Sequence, residues 1–244
     1  MSRTTILVVG TAPGSFGARL VHALKVEMAE SKADDYSAWN VIAAGLSVDG
    51  YDAEYEYDVV EALDQHIGIM RDIQPYHVVY AVGTNHPDMP NDTTDIAGSA
   101  VEHFELNVAG FLRTAEAFKT IAFPGSQLVA ISSNSARIPR SPSVSYCVSK
   151  AALSMAVRVL ARRWKGEPVV WGVEPGLMNT EATVRAVNER AWVSGGATVM
   201  HRMPGVSSQY GLSADQLAEM VAHQVLWGGI ALNGTLWGLD AGEL

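Results

Sequence analysis

The chain has 244 residues, of which 48% are hydrophobic and 18% charged, enough apolar material for a substantial core. Lys and Arg number 17 against 26 Asp and Glu, a formal charge of −9, which argues against nucleic acid as the main partner. The single cysteine, Cys147, excludes an internal disulfide and a thiolate zinc cluster, and the 7 histidines show no close metal-ligand pairing, so no metal is expected.

The segment Thr5-Ile6-Leu7-Val8-Val9 reads as a strand buried on both faces, as inside a parallel sheet. Its apolar run before Gly10 is too short for a signal-peptide core, and no apolar run is long enough to span a bilayer. A cytoplasmic protein without a membrane partner is expected. The turn Gly10-Thr11-Ala12-Pro13-Gly14-Ser15-Phe16-Gly17 follows, then a helix over Ala18–Glu30 carrying Leu20, Val21, Leu24 and Met28. Strand, glycine turn and helix form the first half of a βαβ unit.

Further strands are predicted at Val41–Ala44, about Tyr55–Asp58, Val78–Val82, Leu128–Ile131, Val169–Val173 and Thr235–Leu239. Helical stretches separate most of them, at Val59–Ile73, Val101–Ala122, Ser149–Trp164 and Ala214–Trp227. This alternation predicts an α/β fold: a Rossmann-type doubly wound parallel sheet, three-layer α/β/α, in a single domain over residues 1–244. One connection is odd. Only about ten residues join the second and third strands, fewer than a parallel crossover normally needs.

The glycine turn admits two readings, an ordinary strand–helix turn or a cradle that lays a pyrophosphate on a helix N-terminus. Tyr146-Cys147-Val148-Ser149-Lys150 places a phenol and an ammonium at i and i+4 on one helix face. A free phenol has a pKa of about 10, and a neighbouring cation lowers it into the range of acid–base work. Ser133 stands where Leu128–Ile131 gives way to a loop, at the carboxyl end of a strand, where parallel sheets bind their ligands.

These features occur in a family's order, and the chain resembles the short-chain dehydrogenases/reductases over essentially its whole length. The matching landmarks begin with the glycine turn, Asp58-Val59 and Gly83. Asn107-Val108-Ala109-Gly110, Ile131-Ser132-Ser133 and Tyr146-x-x-x-Lys150 follow, then Pro175-Gly176-x-x-x-Thr180 and the glycine-rich end from Asn233 to Gly242. The resemblance implies an NAD(P)-dependent oxidoreductase that interconverts a ketone and a secondary alcohol. In it Tyr146 moves the proton, Ser133 hydrogen-bonds the substrate oxygen, and Lys150 tunes the tyrosine and holds the nicotinamide ribose. It implies that Asn107 interrupts its helix and holds a water leading to Lys150. For the cofactor it implies Gly10, Gly14 and Gly17 at the diphosphate, Asp58 and Val59 at the adenine, Gly83 at the ribose, and Pro175, Gly176 and Thr180 at the nicotinamide. It also implies a homodimer or homotetramer, joined through the helices carrying Asn107 and Tyr146, and a small-molecule carbonyl or alcohol substrate.

The pattern departs from the family in places. Val9 stands for a threonine, Tyr80-Ala81-Val82-Gly83 stands for Asn-Asn-Ala-Gly, and Phe16 occupies the third glycine's place, with Gly17 one residue later. Phe16 either crowds a diphosphate or points into the core. The second strand ends Ala43-Ala44-Gly45-Leu46, with neither the acid of NAD enzymes nor the base of NADP enzymes. Asp49 or Asp52 could take the acid's place, and the lack of Lys or Arg between Asn40 and Asp58 leans towards NAD. Residues 181–212, with Trp192, Met200, Met203 and Tyr210, read as a substrate lid or as a helical hairpin at a subunit contact. The alternative to an enzyme is a catalytically impaired dinucleotide-binding regulator or scaffold of the same fold. A serine hydrolase is disfavoured by the lack of a Gly-x-Ser-x-Gly elbow.

Overall fold

Ile6, Leu7, Val8 and Val9 are fully shielded from solvent, and successive residues serve opposite faces of one sheet. They lie in β1 (Thr4–Val9), which is followed by β2 (Trp39–Gly45), β3 (Tyr55–Glu56) and β4 (His77–Tyr80). Three more strands, β5 (Gln127–Ile131), β6 (Val169–Pro175) and β7 (Leu236–Leu239), complete a parallel sheet of order β3-β2-β1-β4-β5-β6-β7. The computed structural model describes residues 4–31, 39–45, 55–84, 95–140, 143–176, 178 and 213–239.

One face of the sheet is covered by α1 (Phe16–Glu30) and α6 (Ala214–Trp227), whose Leu20, Leu24, Leu217 and Val221 meet Ile6, Val8 and Trp171. The other face takes α2 (Leu63–Ile73), α4 (Gly110–Lys119) and α5 (Val144–Trp164), with Met70, Phe111, Phe118, Leu153 and Val157 against Leu7, Val9 and Val78. The predicted three-layer α/β/α arrangement is therefore present. The strand order reverses between β1 and β4, so the connections leaving their paired carboxyl ends run to opposite faces of the sheet, the switch point where such sheets hold their ligands.

A buried polar belt ties the opposite, amino-terminal end of the sheet. The Gln127 backbone N–H donates to His77 Nδ1 at 3.0 Å, and Trp171 Nε1 donates to Gln127 Oε1 at 2.7 Å. Gln127 Nε2 donates in turn to Val225 O at 2.9 Å, which anchors the end of α6. Burial pushes the His77 pKa down to about 3, so the ring is neutral and can accept.

Several element boundaries differ from the sequence reading. The helix predicted from Val59 begins only at Leu63, because Asp58 Oδ1 accepts from Val60 N and Asp58 O from Glu61 N in a tight turn. The stretch predicted as one helix over Val101–Ala122 is α3 (Ile96–Phe104), a π-helical segment Glu105–Ala109, and α4. β3 is two residues long, paired through Ala44↔Tyr55 and Gly45↔Glu56. Its short link to β2, including Asp49 and Asp52, lies outside the described residues. By length and composition alone α5 could cross a bilayer, but its Leu153, Val157 and Leu160 are packed against the sheet.

Candidate active site

The site is built around the end of β1. Gly10 leaves the strand at φ 93°, and a Cβ there would lie 2.7 Å from Val82 N. Gly14 also takes positive φ, 70°. Gly17, in the first turn of α1, sits so close to the Gly10 carbonyl that a Cβ would collide with it. Gly10 and Gly14 thus supply the turn, and Gly17, one place later than the family pattern, supplies the close helix–strand contact. Phe16 turns into the core beside Leu20 and so takes the second of its two possible orientations. Ser15 caps α1, accepting from Ala18 N at 3.2 Å. Gly10 N and Thr11 Oγ1 both donate to Ala44 O, at 2.8 and 3.2 Å, and pin the loop to the end of β2. A turn of glycine backbone at a helix N-terminus, with its one large side chain withdrawn, fits a dinucleotide pyrophosphate.

Across the switch point, α5 presents Tyr146 and Lys150 one turn apart. Lys150 is 3% exposed, its Nζ lies 5.8 Å from the centre of the Tyr146 ring, and it donates to Ile131 O at 3.1 Å. Burial lowers its pKa to about 8. Gly83 makes room for this ammonium, since a Cβ there would stand 3.0 Å from Lys150 Nζ and 3.5 Å from Asn107 Oδ1.

Asn107 lies in the π-helical segment and is fully buried. Its amide embraces Thr84, accepting from Thr84 N at 3.0 Å and donating to Thr84 O at 3.3 Å. The same Nδ2 donates to Ser149 Oγ at 2.9 Å, and Ser149 Oγ donates to Tyr146 O at 2.8 Å. Asn107 therefore joins the loop after β4 to the start of α5. Tyr146 also meets the buried His103 ring of α3, centroids 6.2 Å apart.

Ser133 follows β5 and caps a short 3-10 turn, its Oγ accepting from Ser135 N at 3.1 Å. Pro175 ends β6, and Gly176 is half-buried beyond it. Asp58 and Val59 lie past β3, where the Asp58 carboxylate holds the turn described above. The Val59 side chain packs on Gly110 and its carbonyl accepts from Arg113 at 3.0 Å. Thr180 and the proposed lid, residues 181–212, lie outside the described residues.

A short-chain dehydrogenase/reductase family model, described as enoyl-(acyl carrier protein) reductase, matches residues 18–204. The chain belongs to the short-chain dehydrogenase/reductase family. Its members are NAD(P)-dependent oxidoreductases. Solved structures agree in fold. A short-chain dehydrogenase family protein from Francisella tularensis superposes with a TM-score of 0.78 at 17% identity, covering 98% of both chains. L-sorbose reductase from Gluconobacter frateurii, complexed with NADPH and L-sorbose, gives 0.77 at 18% identity, over 100% of this chain and 97% of that one. Aldohexose dehydrogenase from Thermoplasma acidophilum gives 0.76 at 16% identity, over 97% and 92%. A search of curated proteins finds no match.

Beside the short-chain dehydrogenase/reductase landmarks runs a second polar chain that the sequence reading did not single out. Ser132 Oγ donates to Ser154 Oγ at 2.8 Å, with Lys150 O, 3.2 Å away, as the second acceptor of the same proton. Ser154 donates to Glu174 Oε1 at 2.7 Å, and Arg137 Nε donates to Glu174 Oε2 at 2.5 Å. Two signals point to it in the sequence: Ser154 continues the Tyr146, Lys150 series at i+8, and Glu174 is an acid at the end of an apolar strand.

Proposed function

We propose that the protein interconverts a ketone and a secondary alcohol, with Tyr146 as the general acid in reduction and the general base in oxidation. The observation that carries this reading is the buried Lys150 ammonium set against the Tyr146 ring and held by Ile131 O. A cation there favours the phenolate, so the tyrosine can release its proton to a substrate oxygen and recover it in the reverse direction. Ser133, at the end of β5, is the second hydroxyl of the site. It stabilises negative charge developing on the substrate oxygen, and its place on a capped turn keeps it oriented. Lys150 has further ammonium hydrogens with which to hold ribose hydroxyls. Asn107 fixes the loop and helix that flank Lys150. Both of its amide hydrogens are engaged, so a water leading to Lys150 would meet an acceptor there.

A nicotinamide dinucleotide, NAD or NADP, supplies the hydride when bound. Gly10, Gly14 and Gly17 would hold its diphosphate, Asp58 and Val59 would border the adenine, and Gly83 would border the ribose. Pro175, Gly176 and Thr180 would flank the nicotinamide, with residues 181–212 as the lid. The absence of Lys and Arg between Asn40 and Asp58 supports NAD. The substrate is a small carbonyl compound or its alcohol. L-sorbose reductase and aldohexose dehydrogenase, both of similar fold, make sugars the first class to test.

A homodimer or homotetramer is supported by an apolar stripe on α5, where Val144, Val148, Met155 and Val159 are exposed beside Val101 and Phe104 of α3. The test of the proposed function is a panel of ketones, sugars among them, offered with NADH and with NADPH and followed at the nicotinamide absorbance. Oxidation of either cofactor that depends on a ketone is expected. Cofactor binding without turnover across the panel would instead favour a regulatory protein of the same fold.

A further inference from the structure

Glu174 is out of pattern for its place. Along β6, Val169, Trp171 and Val173 belong to the core under α1 and α6, while Val170 belongs to the opposite core under α5. Strands buried on both faces are normally apolar throughout. Glu174 nonetheless places a carboxylate, 1% exposed, on the α5 side beside Pro175. Burying a charge there is costly unless it is paired and hydrogen-bonded. Both carboxylate oxygens are indeed engaged, one by Ser154 and one by Arg137, whose guanidinium fits against Gly238 of β7 so closely that a Cβ would collide with it.

The bonds lead towards the site. Ser154 is one helical turn beyond Lys150, and because its own proton goes to Glu174 its hydroxyl accepts from Ser132 Oγ at 2.8 Å, a proton for which the Lys150 carbonyl, 3.2 Å away, is the second acceptor. Ser132 is also the residue before Ser133, and its own amide donates to Val173 O at 2.8 Å. We infer that Glu174 is a positioning residue: through Ser154 and Ser132 it locks the Lys150 turn of α5 to the end of β5 and so fixes the ammonium against Tyr146 and the seat of Ser133. This rests on the reading of Tyr146 and Lys150 given above. Arg137 neutralises the carboxylate from the loop that follows Ser133, so the clamp closes on both sides of that serine.

The test uses the full chain and the variants Ser154→Ala, Glu174→Gln and Ser154→Thr. The primary readout is the ultraviolet titration of Tyr146, taken as the component lost in Tyr146→Phe. Among the described residues, His103 and Lys150 are ionisable groups set against that ring, and both are unchanged in all three variants. Cutting the relay lets Lys150 move away from the phenol, so Ser154→Ala and Glu174→Gln should raise the midpoint by about one pH unit, a tenfold change in the phenolate equilibrium. Ser154→Thr, which keeps the hydroxyl, should leave it at the wild-type value. In parallel, kcat for a ketone should fall about tenfold in the first two variants with KM for the cofactor nearly unchanged. Midpoints unmoved in both relay variants, whatever happens to their melting temperatures, would overturn the inference. The titration does not depend on turnover. A wild type inactive on every ketone, whose Tyr146 midpoint still answers to Ser154→Ala, would sink the proposed reaction and leave the relay standing.

Discussion

Lys150 and Tyr146 stand one turn apart on α5, the lysine Nζ 5.8 Å from the phenol ring centre, with the ammonium held by a strand-end carbonyl. Burial lowers the lysine pKa from 10.5 to about 8. The folded chain therefore gives up this proton more readily than the unfolded one. The cost of the buried charge is fully present below pH 8 and is relieved as pH rises from 8 towards 10.5. The account predicts that kcat/KM for ketone reduction, which reports the free enzyme, declines above about pH 8 as the cation is lost. A profile that stays level well above that pH would show that the lysine charge plays no part.

Gly83 controls the space that the ammonium occupies. In Gly83→Ala the new methyl would lie 3.0 Å from Lys150 Nζ, which cannot give way without straining its bond to Ile131 O. The fold should survive, because the obstructed atom ends a side chain rather than lying in the backbone. We expect kcat to fall at least about tenfold, in keeping with the sensitivity of catalysis to small displacements, while the thermal midpoint moves little. Steady-state kinetics beside a melting curve check both halves.

How much of this was legible beforehand can be traced residue by residue. Ile6 to Val9 read as a doubly buried strand because a parallel sheet leaves neither face to water. Tyr146 and Lys150 read as a pair because helical geometry sets i and i+4 together. The start of α2 misled, since Asp58 resembles a helix cap but its carboxylate accepts from Val60 N within a turn, and Arg113, distant in sequence, takes the Val59 carbonyl. The interruption of the helix at Asn107 was legible only through the family resemblance, since Thr84 and Ser149, which hold its amide, reach it from across the fold and no local propensity encodes that. Glu174 went unnoticed for a similar reason. Its partners Ser154 and Arg137 lie 20 and 37 positions away in the chain.

Acid should unfold the protein by a route that has nothing to do with the site. Burial lowers the pKa of His77 from 6.5 to about 3, and that of His66 in the same direction. Between pH 6.5 and 3 the unfolded chain binds the extra proton at His77, so stability is full above 6.5 and falls as pH drops through that window. The limiting slope for one such group is about 1.4 kcal/mol per pH unit. Denaturant melts across this range should steepen accordingly. His77→Asn, which retains an acceptor for Gln127 N, should flatten the dependence, and an unaltered dependence would contradict the assignment.

Asn107 carries a stability cost that can be measured without any substrate. Asn107→Leu removes the partner of Thr84 N, Thr84 O and Ser149 Oγ at a position with no solvent exposure. Ser149 Oγ keeps its bond to Tyr146 O, so the cost falls on the partly buried Thr84 N and O, and a fully buried group left unpaired costs about 1–3 kcal/mol. A lower melting temperature, by several degrees at least, is expected from calorimetry.

The most direct measurement is turnover of a ketone by Tyr146→Phe, with dinucleotide binding followed through tryptophan fluorescence. Loss of about a hundredfold to ten-thousandfold in kcat, with the dissociation constant for the dinucleotide held near that of the wild type, is the predicted result. Turnover at the wild-type rate would contradict the assignment of the proton to this phenol.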